Sequence, residues 1–410
     1  MEYSFNKHEL ILNLEKSEFL YKDGYGPGVP IFTHKGIKVI DNFIELFERE
    51  LKEKKIKYSK LVHKHMISLD DFRKAYNKIN NYENEVIRTG NTCVMSDALL
   101  QNVFYLKKIA FVENYVKTVF SVNSIYREKT GKLIPLYRDK NIFPVVQIDH
   151  LVHKSKLNKT IVLLKDLYLN FYKKLGIEIK FLKASEVPEY ASFELYFLAQ
   201  EKSKFTKLGM IYVLYSQFRQ NLKLSDEYYL INSGFSGKSL FYSIESASNY
   251  MGELFIPTSS VHIINKIAKS DKLNKVIKIF NEEKISFYID EYEKNTYKKW
   301  KKSGDFALLV LHEKYTLHIK TMNMPVTFNN INTMIKCLID NFYKVSTELL
   351  NYSRSNIQQN LETSTLQLCE NCITYSYYGL IETENTMTCL NCGKVINYLI
   401  FNIDPKDRFY

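Results

Sequence analysis

Glycine and proline are scarce, with 14 and 8 residues in a chain of 410, and alanine is rare while lysine is heavily used. That bias is the kind an AT-rich genome imposes, and no function is read from it. No run of about 18 apolar residues exists, which excludes a transmembrane helix. The opening MEYSFNKHELILNLEK carries acidic residues and no small-residue cleavage site, which argues against a secretory signal. A cytoplasmic location is the expectation. Cysteine is sparse too: six residues, four of them in two Cys-x-x-Cys pairs, a spacing that in the cytosol favours a metal over disulfides. What is present is a normal globular share of apolar residues, 45%, with 14% aromatics and a net charge of +12. The length allows two or three domains with their own cores. The positive charge attracts polyanions, RNA being the obvious one.

The most informative stretch is Phe120 to Lys154, FSVNSIYREKTGKLIPLYRDKNIFPVVQIDHLVHK. An alternating run enters Tyr126-Arg127-Glu128, a Lys/Thr/Gly turn follows, and a second run passes Leu136, Arg138, Phe143 and Val145. Two such runs around a Gly-containing loop predict an antiparallel hairpin. A guanidinium grips phosphate oxygens in a two-point fork, and a carboxylate accepts from an adenine amino group. The hairpin reads either as a nucleotide site or as an ordinary charged surface.

YREKTGKLIPLYRDKNIF resembles motif 2 of class II aminoacyl-tRNA synthetases, in the form of the prolyl and threonyl enzymes. The resemblance implies Arg127 at the α-phosphate of ATP, Glu128 at the adenine, and Arg138 on the strand behind the loop, with Mg²⁺ accompanying the ATP. Where the family continues with Arg-Glu-Phe and acidic residues, this chain reads Lys140-Asn141-Ile142. GVPIFTHKGIKVIDNFIELFERELKEKKIKYSKL, an amphipathic helix after the Gly24–Pro30 turn cluster, resembles motif 1 and its approach. That motif implies a homodimer, although the stretch Lys60 to Ser68 lacks the family's proline. Ser96-Asp97 resembles the amino-acid-binding Pro-Thr-Ser-Glu of prolyl enzymes; a plain helix N-cap is the other reading. Cys93 reads as a small buried apolar residue.

A helix over Lys156–Leu175 with an Ile161, Leu164, Leu167, Phe171, Leu175 stripe follows, and then strands at 177–182, 193–198, 210–215 and 228–231. This predicts an α+β fold: a class II antiparallel sheet with helices on its faces. At NSGFSGKSLFYSIESASN the family has motif 3 and an Arg for the γ-phosphate. No Arg occurs here between Arg219 and Arg354, and Lys238 is the one cation placed to replace it. The alternative is a Gly/Ser turn capping a helix; the spacing does not fit a Walker loop.

From Gly252 strands and helices alternate, with a strand formed by 255–257 and 261–264 and a nearly continuous apolar run at 306–311 that predicts a strand buried on both faces. The order resembles the α/β anticodon-binding domain of the prolyl, threonyl, histidyl and glycyl enzymes. Lys298, Lys299, Lys301 and Lys302 either face RNA or form a solvated helix face, and Trp300 is either core or a base-stacking platform. A helix is predicted over Ile331–Leu350 and a polar linker over 351–367. Cys369, Cys372, Cys389 and Cys392 then offer four thiolates to one structural Zn²⁺ ion, with no position left for catalysis. Archaeal- and eukaryotic-type prolyl-tRNA synthetases also carry a C-terminal zinc domain and end in Tyr, as this chain does at Tyr410.

The expected division is 1–250, a class II catalytic-type domain; 251–350, an anticodon-binding type; and 351–410, a linker and zinc domain. The resemblance implies a divergent paralogue of prolyl-tRNA synthetase, an ATP-dependent ligase that activates an amino acid, with proline the candidate, and passes it to tRNA. Transfer to a carrier protein or peptide is the alternative, as is a non-catalytic RNA-binding accessory role.

Overall fold

The computed structural model describes residues 6–63, 66–75, 87–94, 99–109, 117–126, 133–187, 190–201, 204–214, 219–220, 223, 225–266, 271–367, 370 and 379–401. The chain forms two compact units that interleave along the sequence. One comprises Met1–Arg49, Phe171–Ile177 and Leu240–Ser353; the other Glu50–Asn170, Glu178–Ser239 and Arg354–Tyr410.

The first unit is built on a five-stranded sheet in the order Phe287–Asp290, Val261–Asn265, Ala307–Leu311, Tyr315–Ile319, Val326–Phe328. The first three strands run parallel and the last two pair antiparallel. Every residue of Ala307–Leu311 is buried. Ala307, Leu309 and Leu311 join the core formed with Val276, Phe280, Ile335 and Leu338, whereas Leu308 and Val310 pack with Trp300 and Ile264 on the opposite face. A strand covered on both faces has no polar side to show, hence its unbroken apolar run. Trp300, 3% exposed, is therefore core and not a stacking platform. The helix bearing it, Thr296–Ser303, ends at Gly304 with φ +80°, where a Cβ would also strike Ile256.

The second unit carries a ten-stranded sheet among the described residues. Its order is Thr365–Leu366, Val395–Phe401, Gly379–Thr388, Lys180–Ala184, Ala191–Glu201, Lys204–Leu214, Tyr228–Ser236, Asn141–His153, Thr118–Tyr126, Ser59–Leu61. All neighbours are antiparallel except the last pair. Side chains alternate between two faces. One face is apolar: Tyr168, from the helix Leu157–Lys174, lies 4.4 Å from the Phe197 ring and donates to Ser233 Oγ at 3.0 Å. The other face is polar at its centre.

Three expectations change. The stretch 351–367 is not a linker: the helix from Ile331 runs on to Ser364, and Thr365–Leu366 enters the sheet. Its polar residues are those of a solvated helix flank, with Ile357 and Leu361 buried at helical spacing. Second, Arg138 does not stand on the second hairpin strand, which begins at Asn141. It closes a tight turn by an isolated bridge to Ile134. Third, residues 255–257 are not strand; only Val261–Asn265 is.

Candidate active site

Three adjacent strands, Thr118–Tyr126, Asn141–His153 and Tyr228–Ser236, set the site by register. Ser121 pairs with Gln147 and Gln147 with Gly234; Asp149 pairs with Asn232, and Asn123 with Val145. Residues paired across strands share a face, so Ser121, Asn123, Gln147, Asp149 and Asn232 form one polar patch. The register continues outward, since Asn232 pairs with Tyr212 and Tyr212 with Glu194. Gly234 allows the neighbouring strand to come close, since a Cβ there would lie 2.4 Å from the Val146 carbonyl oxygen.

Asp149 is the hub. Its Oδ2 accepts from Asn102 Nδ2 at 2.6 Å and Gln147 Nε2 at 2.8 Å, and its Oδ1 from Asn232 Nδ2 at 2.7 Å. Asn102, on the helix Leu99–Ile109, also donates to Ser121 Oγ at 2.9 Å, and its Oδ1 lies 2.5 Å from His63 Nε2. Burial pulls the His63 imidazole below its usual range, against the opposing bond to Asn102. A buried carboxylate is tolerable only when such donors converge on it. They also fix the orientation of three amides, leaving a wall preorganised for polar recognition. His150, the next residue but facing the other way, is buried and its Nδ1 lies 2.9 Å from Thr118 Oγ1; burial lowers its pKa to about 4.

At the other end of the same strands stand the cations. Leu136, with φ +64°, occupies a region rare for a branched side chain, and it is held by a bond from its N–H to Asp139 Oδ2 at 2.6 Å. This turn, 134–138, packs on Gly237, where a Cβ would lie 2.9 Å from Leu136 Cδ2 and 2.8 Å from the Phe143 carbonyl. Gly237 opens the helix Gly237–Met251. Lys238 follows, buried, with Nζ 4.8 Å from the Tyr137 ring. The structure thus joins the turn carrying Arg138 to Lys238. Arg127 and Glu128 lie outside the described residues, immediately after the strand ending at Tyr126; so do Ser96 and Asp97, just before the helix Leu99–Ile109.

Of the four candidate RNA-binding lysines, Lys299 pairs with Glu293 and Lys301 lies 5.2 Å from the Tyr297 ring, while all four are exposed. Among the described residues no cluster of three or more His, Cys, Asp or Glu side chains is set to hold a metal. Cys369 and Cys372 lie outside the described residues. Cys389 and Cys392 occupy the turn between the last two strands, where Gly393 N–H donates to the Cys389 carbonyl at 2.9 Å and Gly393 has φ +72°. Of the residues flanking Cys369, Gln367 reaches this turn and Glu370 reaches the strand that follows it. The Leu390 N–H donates to the Gln367 carbonyl at 2.9 Å, and the Glu370 N–H to the Tyr398 hydroxyl at 3.2 Å.

Sequence reasoning missed Asp149, Asn102, Gln147, Asn232 and His63. A signal existed: polar residues two apart inside otherwise apolar strands, at Ser121-x-Asn123 and Gln147-x-Asp149.

No protein-family model matches the chain, and no curated protein matches it. Solved structures do. The fold is similar to that of prolyl-tRNA synthetase from Giardia lamblia in complex with prolyl-adenylate, with a TM-score of 0.74 at 13% identity over 97% of this chain and 99% of that one. It is also similar to the Cryptosporidium parvum prolyl-tRNA synthetase complexed with halofuginone and AMPPNP, with a TM-score of 0.66 at 12% identity over 86% of this chain and 80% of that one.

Proposed function

We propose that this class II synthetase fold serves an ATP-dependent ligase, which activates an amino acid as its adenylate and transfers it to tRNA. The observation that carries the reading is the charge gradient along the polar face. Arg138 and Lys238 stand beyond the Val145–Ser236 row, and carboxylates Asp149 and Glu194 stand four residues further along, ~13 Å at the usual strand rise. Phosphates suit the cationic end and an amino group the carboxylate end. In the reading, Arg127 meets the α-phosphate, Glu128 the adenine and Lys238 the γ-phosphate, with Arg138 behind them and Mg²⁺ on the ATP. Ser96 and Asp97 serve the amino acid, for which proline is the candidate because a neighbour holds prolyl-adenylate. Residues 251–350 act as the anticodon-binding type, with Lys298, Lys299, Lys301 and Lys302 toward RNA, on a cytoplasmic homodimer. Among the described residues no helix is long and apolar enough to cross a membrane.

Charge develops at the α-phosphate in the transition state, and fixed cations aimed there lower the barrier. Arg127→Ala should therefore lower amino-acid-dependent ATP–pyrophosphate exchange by about a hundredfold to a thousandfold. Lys238→Arg should raise it, since a guanidinium grips phosphate at two points. If the wild-type chain binds no ATP in calorimetry and exchanges with none of the twenty amino acids, the ligase reading fails and a binding-only role replaces it. If exchange occurs but no tRNA is charged, a carrier protein or peptide is the acceptor.

A structural zinc ion is part of the proposal. Its donors would be Cys369, Cys372, Cys389 and Cys392, and the bonds that tie Gln367 to the second cysteine turn and Glu370 to the strand after it support a shared centre. Zinc there would supply folding energy, not catalysis. Purified protein should hold about one zinc per chain, lost in Cys389→Ser together with protease resistance of residues 368–401. A metal-free preparation with unaltered protease resistance would sink this.

A further inference from the structure

The C-terminal hairpin extends the ten-stranded sheet and is no separate module. Gly379–Thr388 pairs with Lys180–Ala184 through Gly379–Ala184, Leu380–Lys183 and Ile381–Leu182, and its other strand, Val395–Phe401, takes up Thr365–Leu366. Without the hairpin, Lys180–Ala184 would be the sheet's edge. Its sequence, KFLKA, is that of a guarded edge, with Lys183 exposed. Lysine on an edge strand discourages pairing with another chain.

One row of cross-strand partners leads from the hairpin to the candidate active site. Ile381 pairs with Leu182, Leu182 with Tyr196, Tyr196 with Met210, Met210 with Gly234, Gly234 with Gln147 and Gln147 with Ser121. Partners in a row share a face. The outer half is apolar and packed: Ile381, Leu182, Tyr196 and Leu361 belong to one buried cluster, against which Met210 rests. The inner half reaches Gln147, which donates to Asp149. Lys165 adds a clasp, 2.5 Å from Glu382 of the hairpin and 5.2 Å from the Phe181 ring.

The hairpin keeps this place with little core of its own. Among the described residues its buried apolar side chains are Ile381, Cys389, Ile396 and Ile400, and a two-stranded hairpin alone is marginal in water. Cys389 and Cys392 lie at its tip. There the Leu390 N–H donates to the Gln367 carbonyl at 2.9 Å, and Gln367 Nε2 donates to the Thr388 carbonyl at 2.7 Å. Zinc at the tip would supply the folding energy that so few apolar contacts do not.

We propose that zinc occupancy at the tip controls whether the sheet under the candidate active site is complete. The metal holds the hairpin on Lys180–Ala184; its loss opens that edge and loosens the row from Ile381 to Gln147. The proposal rests on the zinc reading above. On release of zinc the thiolates take up protons from water, and no electrons move. The lysines of Lys180–Ala184 keep the opened edge from pairing with another chain, so the opening is reversible.

The test is hydrogen exchange of the full chain, read by mass spectrometry, in the zinc-loaded protein, after chelation and after zinc is returned. Chelation should speed backbone exchange at 180–184 by about tenfold or more, because those amides lose their cover. The Gln147 side-chain amide resonance should shift at the same time. Returned zinc should reverse both changes, and exchange at 307–311, in the other unit, should not move. Ile381→Ala should speed exchange at 180–184 while the zinc content stays the same, which separates the apolar joint from the metal. The proposal is overturned if chelation loosens 379–401 and leaves 180–184 and the Gln147 signal unchanged; the structural zinc then stands and the coupling does not. It is also overturned if Ile381→Ala, folded by circular dichroism, leaves exchange at 180–184 unaltered. A chain that holds no zinc as purified and takes up none when it is added sinks the zinc reading and the coupling with it.

Discussion

Asp149 and Asp305 are both buried aspartates, one in each unit, and they are held by different means. Asp149 receives three side-chain amides, from Asn102, Gln147 and Asn232. Asp305 meets an ammonium, Lys35 Nζ at 3.3 Å, and a phenol, Tyr288 OH at 2.6 Å, while its Oδ1 has no hydrogen-bond partner. Lys35 also donates to the Ser303 carbonyl at 2.6 Å. Burial foremost, then Asp305, keeps the Tyr288 hydroxyl protonated far above its usual range. Amide donors are directional, so the cluster around Asp149 fixes the orientation of three side chains on the candidate site's face. An ammonium cancels charge with less regard to direction, which suits a scaffold joint such as Asp305, which leads into the fully buried strand Ala307–Leu311. The comparison teaches that two buried acids with similar exposure can signal different roles, and the chemistry of their donors tells them apart.

The strongest way to break the comparison is to remove the ammonium. Lys35→Met leaves Asp305 buried with only the phenol, and breaking a buried pair costs about 3–5 kcal/mol. Urea unfolding read by Trp300, the chain's one tryptophan and part of the same unit, should show that loss. A change below about 1 kcal/mol would mean the pair is not what holds Asp305.

The next largest effect comes from the residue beside Asp149. His150 titrates near 4 in the folded state against 6.5 when unfolded, because burial disfavours its charged form. As pH falls below 6.5 the unfolded chain takes up the proton first. The stabilisation is therefore complete above pH 6.5 and is lost progressively as pH falls to 4, amounting to about 3 kcal/mol. His150→Gln should flatten that part of the stability–pH curve; an identical slope in the variant would contradict a buried neutral imidazole.

The smallest expected effect sharpens the amide side. Asp149→Asn keeps the shape but offers one carbonyl to donors that had two oxygens, so at least one amide N–H loses its acceptor, at about 1–3 kcal/mol. Hydrogen exchange of the Asn102, Gln147 and Asn232 side-chain amides should rise together. Independent rates would show that no shared hub exists.

Much of the scaffold was legible in the sequence because it rests on periodicity. Of the stripe Ile161, Leu164, Leu167, Phe171, Leu175 all but the half-buried Ile161 are buried, and the apolar run Phe306 to Leu311 contains the strand Ala307–Leu311, covered on both faces. The boundary at residue 350 was misread because Asn, Ser and Gln are common in loops, yet a helix already nucleated extends through them when one flank is solvated. The candidate site was legible only at its cationic end, Arg138 and Lys238. Its centre was not, because Asp149, Asn102 and Asn232 lie 47, 83 and 130 positions apart in pairs, and polar residues two apart in an apolar strand do not say which distant partners they will meet.

By itself, the sequence determined most of the helices and strands and which of their faces turn inward, because these follow from residue spacing within one element. Only the tertiary structure decided that Lys238 sits over Tyr137, that Lys35 neutralises Asp305, and that Asp149 and Glu194 end one cross-strand row. Those outcomes depend on strand register, and register is set by the packing of the whole sheet, where a shift of one residue would turn every polar side chain to the other face.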